Sequence, residues 1–232
     1  MKKVLLAIFA LVAVSVQAQN LQLHYDFGRN IYSDEEAGRQ KVTATFETFK
    51  ADNLGSWFYF IDLDLNSKGV IGAYGELSRE FNVGNKGWAL HVEYDGGLSK
   101  DGGVFQSAAL FGPAWNGHNA DFSTTYSIQA LYKPIFNNYF GHGYTSFQLT
   151  GVWSTTFASG KATFSGFIDL WRGEKANSHG QLVLLTEPQL WYNFNNHVSL
   201  GTEVELSNNF VYNTFNDKSF FINPTLGMKF NF

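Results

Sequence analysis

The chain has 232 residues, with 16 Lys+Arg against 20 Asp+Glu and a formal net charge of −4. The acidic balance argues against a nucleic-acid partner, which needs a basic face, and the absence of cysteine excludes disulfide scaffolds, thiolate metal sites, cysteine nucleophiles and a lipidated-cysteine anchor. A mean hydropathy of −0.16 leaves no room for a bundle of membrane helices, whereas 17% aromatic residues, 23 Gly and only 4 Pro suit a transmembrane β-barrel.

Residues 1–18 read as an export signal. Lys2-Lys3 is a basic start, Val4 to Val14 is apolar, and Val16-Gln17-Ala18 offers small neutral residues before a cut. The apolar run is too short to cross a bilayer as a helix, which needs roughly 20 residues. The mature chain, 19–232, therefore acts outside the cytoplasm and is more acidic still, because Lys2 and Lys3 leave with the signal.

Beyond residue 18 no helical period persists. Alternation of period two recurs in runs separated by Gly, Asn, Asp and Ser, the pattern of strands joined by turns. The runs fall at 20–27, 40–50, 56–64, 70–81, 88–98, 105–115, 122–132, 144–154, 161–171, 181–193, 198–207 and 220–232. Between 122 and 132, Phe122, Tyr126, Ile128 and Tyr132 alternate with Ser123, Thr125, Ser127 and Gln129. Twelve runs, an even number, place both termini at one side. The connections alternate between short (such as 51–55 and 194–197) and long (such as 28–39 and 208–219), with the termini on the short side. The predicted fold is all-β: one closed antiparallel transmembrane β-barrel of about 12 strands in a bacterial outer membrane. A soluble exported β-domain is the rival, and it would have to gather its apolar faces into one internal core.

In a membrane barrel the apolar parity faces lipid and the polar parity faces the lumen. Trp57, Ile61, Leu90, Val92, Leu149 and Leu190 then meet lipid. The opposite parity collects Glu47, Asp62, Asp64, Glu76, Glu93, Asp95, Asp169, Glu187, Glu203 and Glu205, against which it supplies Lys229 as the one firm base and His24 and His91 as titratable neighbours. A carboxylate facing lipid costs energy near the bilayer midplane, so acids on nearly every strand have to point inward. Phe58, Phe60, Tyr74, Phe167 and Trp191 share that parity without a lipid reason to be aromatic. Flat rings beside hydrogen-bonding carboxylates suit flat polar solutes; steric filling of a narrow interior is the plainer reading. Ten carboxylates are likewise either a solvated lining or a cation-attracting constriction.

The last run ends Leu226-Gly-Met-Lys-Phe230-Asn-Phe232, and a terminal aromatic on an amphipathic strand resembles the signature read by the outer-membrane barrel insertion machinery. Thr43-Ala-Thr-Phe46-Glu47-Thr-Phe49-Lys50, Trp57-Phe-Tyr-Phe-Ile-Asp62 and Tyr74-Gly-Glu76-Leu-Ser-Arg79-Glu80-Phe81 resemble strands of the nucleoside-specific, Tsx-type outer-membrane channels. Leu21-Gln-Leu-His24-Tyr-Asp26-Phe-Gly, Glu187-Pro-Gln-Leu-Trp191-Tyr and Glu203-Val-Glu205-Leu-Ser-Asn-Asn-Phe210 are similar to a Tsx-related group of outer-membrane proteins. The resemblance implies a monomeric twelve-stranded channel with a narrow lumen, and carries over Glu47, Asp62 and Glu76 best. The chain departs from the channels in lacking their long, charged loops.

Other motifs are weaker. His197-Val-Ser199 matches the letters of the outer-membrane phospholipase motif, but Ser199 shares the lumen parity of Glu203 and Glu205, away from a lipid substrate. His91-Val-Glu93 with Asp95 has the i, i+2 spacing of a strand metal site, and equally of a hydrogen-bonded pair. Arg79 sits on lipid parity at a strand end, where it would snorkel. Gly102-Gly103 is a turn, and the 136–143 loop is a candidate lid. The expected function is a passive channel for small polar solutes, nucleosides being the class the resemblance implies, with no cofactor and no catalysis. A closed structural or adhesive barrel is the alternative.

Overall fold

A computed structural model describes residues 19–100, 105–137, 141–174, 180–211 and 215–232. The predicted export signal, Gly102-Gly103 and residues 138–140 of the candidate lid lie outside them. The described strands are β1 (Gln19–Asp26), β2 (Val42–Asp52), β3 (Gly55–Asn66), β4 (Gly69–Asn82), β5 (Trp88–Ser99), β6 (Ser107–His118), β7 (Thr124–Asn137), β8 (Tyr144–Phe157), β9 (Ala162–Glu174), β10 (Gly180–Thr186), β11 (Gln189–Asn193), β12 (Val198–Asn208) and β13 (Phe220–Asn231). One helical turn, α1 (Gly28–Ile31), follows β1.

Each strand pairs antiparallel with its neighbours, and β13 bonds both β12 and β1, which closes the sheet. Segments β10 and β11 both lie between β9 and β12, so together they form one stave of a twelve-stave barrel. The sequence predicts one run over 181–193. The structure breaks it at Glu187-Pro188 because proline has no N–H to give the ladder. The Pro188 carbonyl still accepts from the Val204 N–H at 3.0 Å, and the Glu187 N–H donates to the Phe167 carbonyl at 3.2 Å, so the stave stays joined to β12 and β9 across the break. A second boundary moves outward: the 122–132 run continues to Asn137 and brings Lys133 into the wall.

Gln19, the first described residue, and Phe232 sit together at the end of the barrel closed by the short turns after β2, β4, β6, β8 and β11. The opposite end carries the 27–41 loop and the described residues 209–211 and 215–219, although β3 and β4 are joined there by residues 67–68 alone.

The faces are inverted relative to a water-soluble sheet. Along β1, Asn20, Gln22, His24 and Asp26 are buried while Leu21, Leu23 and Tyr25 are exposed. Ile61, Leu90, Leu149, Leu190 and Met228 are likewise exposed, and Gln22, Asn223, Ser146, Ser199 and Ser207 are among the most fully buried side chains. Leaving each large apolar side chain in water costs about 1.5–3 kcal/mol, a penalty that lipid removes. A soluble β-domain requires the reverse arrangement. An apolar patch does occur inside, where Ala108 and Leu110 of β6 pack with Leu131 and Ile135 of β7.

Candidate functional site

The lumen is the candidate site, and it has three parts. The first is the mouth opposite the termini, a vestibule of about 660 Å³ lined by Asp26, Arg39, Thr43, Asp64, Lys100 and Phe105 among others. The loop after β1 turns into this mouth. Its Arg39 donates to Asp26 Oδ2 from Nε at 3.0 Å and from Nη2 at 2.8 Å, and to Glu205 Oε2 at 2.9 Å. The planar guanidinium reaches both carboxylates through Nη2 and adds Nε on the Asp26 side. The loop is thereby tied to β1 and β12 at once.

Glu36 of the same loop is buried, and its Oε1 accepts from Asn223 Nδ2 at 2.8 Å. Its Oε2 and Asn223 Oδ1 are both buried acceptors without a donor among the described residues. Both stand against Gly28, within 2.8 Å of where a Cβ would lie, so only glycine fits there. A proton on Glu36 gives this pair of acceptors the donor it lacks. Burial, opposed by the Arg39 charge, raises the Glu36 pKa above the ordinary carboxylate value, with Glu205 and Asp26 adding to the rise. A group whose folded pKa is raised loses stability as pH climbs from its unfolded pKa through its folded one. Docking of the loop should therefore weaken on going from mildly acidic to neutral pH. Glu36→Gln, which carries a permanent N–H, should flatten that dependence; limited proteolysis of the 28–41 loop against pH measures it, and an equally steep profile in the variant contradicts it.

The second part is an aromatic ladder with flanking acids. Phe105 at the vestibule packs on Tyr74 with centroids 6.2 Å apart, Tyr74 on Phe60 at 6.1 Å, and Phe60 on Phe58 at 6.1 Å. In register Phe60 stands between Glu47 of β2 and Glu76 of β4, and Asp62 between Thr45 and Tyr74. Thr45 donates to Asp62 at 2.5 Å, Thr43 to Asp64 at 3.4 Å, and Asn20 to Glu47 at 2.9 Å. Glu47 and Glu76 thus flank one ring, and Glu76 gathers with acids of β5 instead of with Glu47.

That gathering joins Glu76, Glu93 and Asp95, one oxygen from each lying within 4.8 Å of the others. Tyr74 donates to Glu76 at 2.9 Å, and His91 lies between Glu93 and Glu80 at 3.2 Å from each. The His91–Glu93 spacing is therefore a hydrogen-bonded pair. Across the lumen Asp169 accepts from Thr150 at 2.5 Å. Phe167 gives its carbonyl to the Thr186 hydroxyl at 2.5 Å.

The third part is the wall nearest the termini. Trp191 is 1% exposed. It meets His24 edge-on at 5.6 Å, lies 4.2 Å from Lys229 Nζ, and donates to Gln189, which in turn donates to Glu203 at 2.6 Å. A Cβ on Gly201 would come within 2.6 Å of its ring, so glycine lets the indole lie against the wall. The same indole lines a second vestibule, of about 220 Å³, with Ser199, Lys229 and Asn231. Glu187, at the break in the β10–β11 stave, stands within electrostatic reach of Glu203, Glu205, Asp62 and Arg39.

Glu187 of the predicted set lies in the break between β10 and β11, outside either strand, and the expectation that Lys229 is the one firm base of the inward parity is corrected. Arg39 reaches in from the loop, and Lys133 of β7 donates to Gln148 at 2.6 Å, stands 3.7 Å from Asp95 and lies over Trp171. Sequence reasoning also missed Glu36, Glu80 and Asn223. Arg79 keeps its lipid parity, paired with Asp52 at 2.8 Å between the rings of Trp57 and Phe81. The His197-Val-Ser199 letters make no dyad: Ser199 donates to Asn193 and His197 faces the Asn231 carbonyl.

Among solved structures, this chain is similar to a NanC porin, at 13% identity and a TM-score of 0.60, covering 93% of this chain and 100% of that one. It is also similar to a KdgM porin in complex with disordered oligogalacturonate, at 10% identity and a TM-score of 0.50, covering 93% and 99%. These likenesses are of fold. No curated protein matches the sequence. The family model for a domain of unknown function, DUF5020, matches residues 18–232, a span that contains every described residue, and the chain belongs to that family.

Proposed function

We propose that this barrel resides in the outer membrane with both termini periplasmic and acts as a passive channel for small, flat, polar solutes that are neutral or cationic. The observation that carries the reading is the ladder Phe105–Tyr74–Phe60–Phe58, which starts at the outer vestibule and descends beside Glu47, Asp62 and Glu76. Ring faces hold flat solutes weakly at successive positions, and carboxylates accept hydrogen bonds from their hydroxyl and amino groups. A path of several weak sites admits a solute and still releases it. Nucleosides have this chemistry, in line with the Tsx-type resemblance. The oligogalacturonate of the KdgM complex is a polyanion, and the acids here would repel such a ligand.

A second reading, a lumen held shut by its own side chains, is favoured by Trp191, Ser207 and Asn223, each no more than 1% exposed on one wall. Liposome swelling separates the two. Proteoliposomes should swell in nucleosides and small neutral cyclic solutes and resist anionic sugars of similar size. Equal swelling in the anionic sugars contradicts the charge argument, and no swelling with any solute supports the closed barrel.

A further inference from the structure

We propose that Glu76, Glu93 and Asp95 form a binding site for a hard divalent cation of the calcium class in the lumen wall. Glu76 and Asp95 are direct partners across the β4–β5 ladder, and Glu93 lies two residues from Asp95, so all three carboxylates leave the same face. One oxygen of each is engaged from outside the triad: Glu76 Oε1 by the Tyr74 hydroxyl, Glu93 Oε2 by His91, and Asp95 Oδ2 by the Lys133 ammonium at 3.7 Å. Outer partners of this kind fix ligand oxygens in place at metal sites.

The independent sign of a ligand is Asp95 itself. The residue is 4% exposed, yet its Oδ1 is buried with no donor among the described residues. A bare carboxylate oxygen without water or donor is costly, and a cation is what such an oxygen accepts. The donors are all oxygen, which selects calcium, magnesium or manganese over zinc and copper. Their mutual spacing, within 4.8 Å, lets all three reach one ion at a calcium–oxygen distance of about 2.4 Å, and calcium is favoured over magnesium because magnesium demands near-ideal octahedral geometry and dehydrates reluctantly. Three carboxylates leave the remaining coordination to lumen water. A bound ion would clamp β4 to β5 and cancel most of the triad charge beside Tyr74, the second rung of the ladder.

The site depends on the barrel fold and not on conduction, so it is tested apart from the channel reading. The probe is terbium, a calcium substitute whose luminescence is sensitised by neighbouring aromatic rings, titrated into the full-length folded barrel in detergent and displaced with calcium chloride. The expected result is saturation near one equivalent, displacement by calcium at lower concentration than by magnesium, and binding weakened about tenfold or more in Asp95→Asn. Glu93→Gln should weaken it similarly and serves should Asp95→Asn fail to give the heat-modifiable, folded band. Glu203→Gln, which removes an acid of the other cluster, should bind terbium as the parent does. Absence of saturable luminescence overturns the proposal. So does unchanged affinity in both triad variants, or an equal loss in Glu203→Gln, since general attraction by the acidic lumen would then account for the signal.

Discussion

Trp191→Ala should destabilise the barrel by about 3–5 kcal/mol and raise its single-channel conductance severalfold. The stability figure is that for deleting a large buried aromatic whose surroundings only partly collapse. Collapse is restricted here because the indole lies on a rigid ladder, between Gly201 of β12 and Gly227 of β13, with the Lys229 ammonium over its face and His24 in edge contact with it. The conductance change follows from position: the same ring bounds the vestibule near the termini, so its loss joins that space to the middle of the lumen. Trp191→Phe keeps most of the packing and gives up the hydrogen bond to Gln189, so it should conduct much as the parent does. Urea unfolding followed on unboiled gels gives the first quantity and planar bilayers the second. A stable Trp191→Ala barrel with parental conductance would show that the indole is neither packed nor in the path.

Arg39→Gln should cost about 3 kcal/mol and free the mouth. The guanidinium serves Asp26 and Glu205, whose side chains are only 8% and 9% exposed, so its removal leaves two nearly buried acids unpaired. Breaking a buried pair from one side costs about 3–5 kcal/mol, and the low end applies because Arg39 itself keeps 24% of its side-chain surface in water. The freed loop should become open to protease between 28 and 41, and current through the pore should become noisier and larger. Arg39→Lys keeps the charge but cannot fork between two carboxylates, and should fall between the parent and Arg39→Gln. A protease-resistant loop in Arg39→Gln would place the anchoring elsewhere, on Glu36 and Asn223.

Much of this architecture is legible from period two alone. Parity puts Glu47, Asp62, Glu76 and Trp191 on the inner face because lipid tolerates no carboxylate, and one-residue slips are ruled out by the same penalty. What parity cannot supply is anything that leaves its own strand. Arg39 and Glu36 sit in a loop with no periodic pattern, and their partners Asp26, Glu205 and Asn223 come from three different strands. Which acids meet is equally hidden. Glu76 lies opposite Asp95 and not beside Glu47, a consequence of the stagger between strands that sequence does not specify. Lys133 falls one residue beyond the 122–132 run, because a proline at 134 breaks the sequence pattern of a strand. Pro134 instead sits within β7, in register with Thr145. The Glu187-Pro188 break was visible as a proline in an apolar run, and that is the signal by which the divided stave could have been found.

The most direct measurement of the central claim is the reversal potential of the reconstituted channel under a salt gradient, for the parent and for Glu47→Gln with Glu76→Gln. The low-dielectric wall focuses the field of the lumen acids, so the parent should conduct and prefer cations. The double variant keeps shape and hydrogen bonding while removing charge on both sides of Phe60, so its preference should fall while the barrel stays folded. An inserted, folded parent that carries no current, or one that prefers anions, would contradict the channel reading.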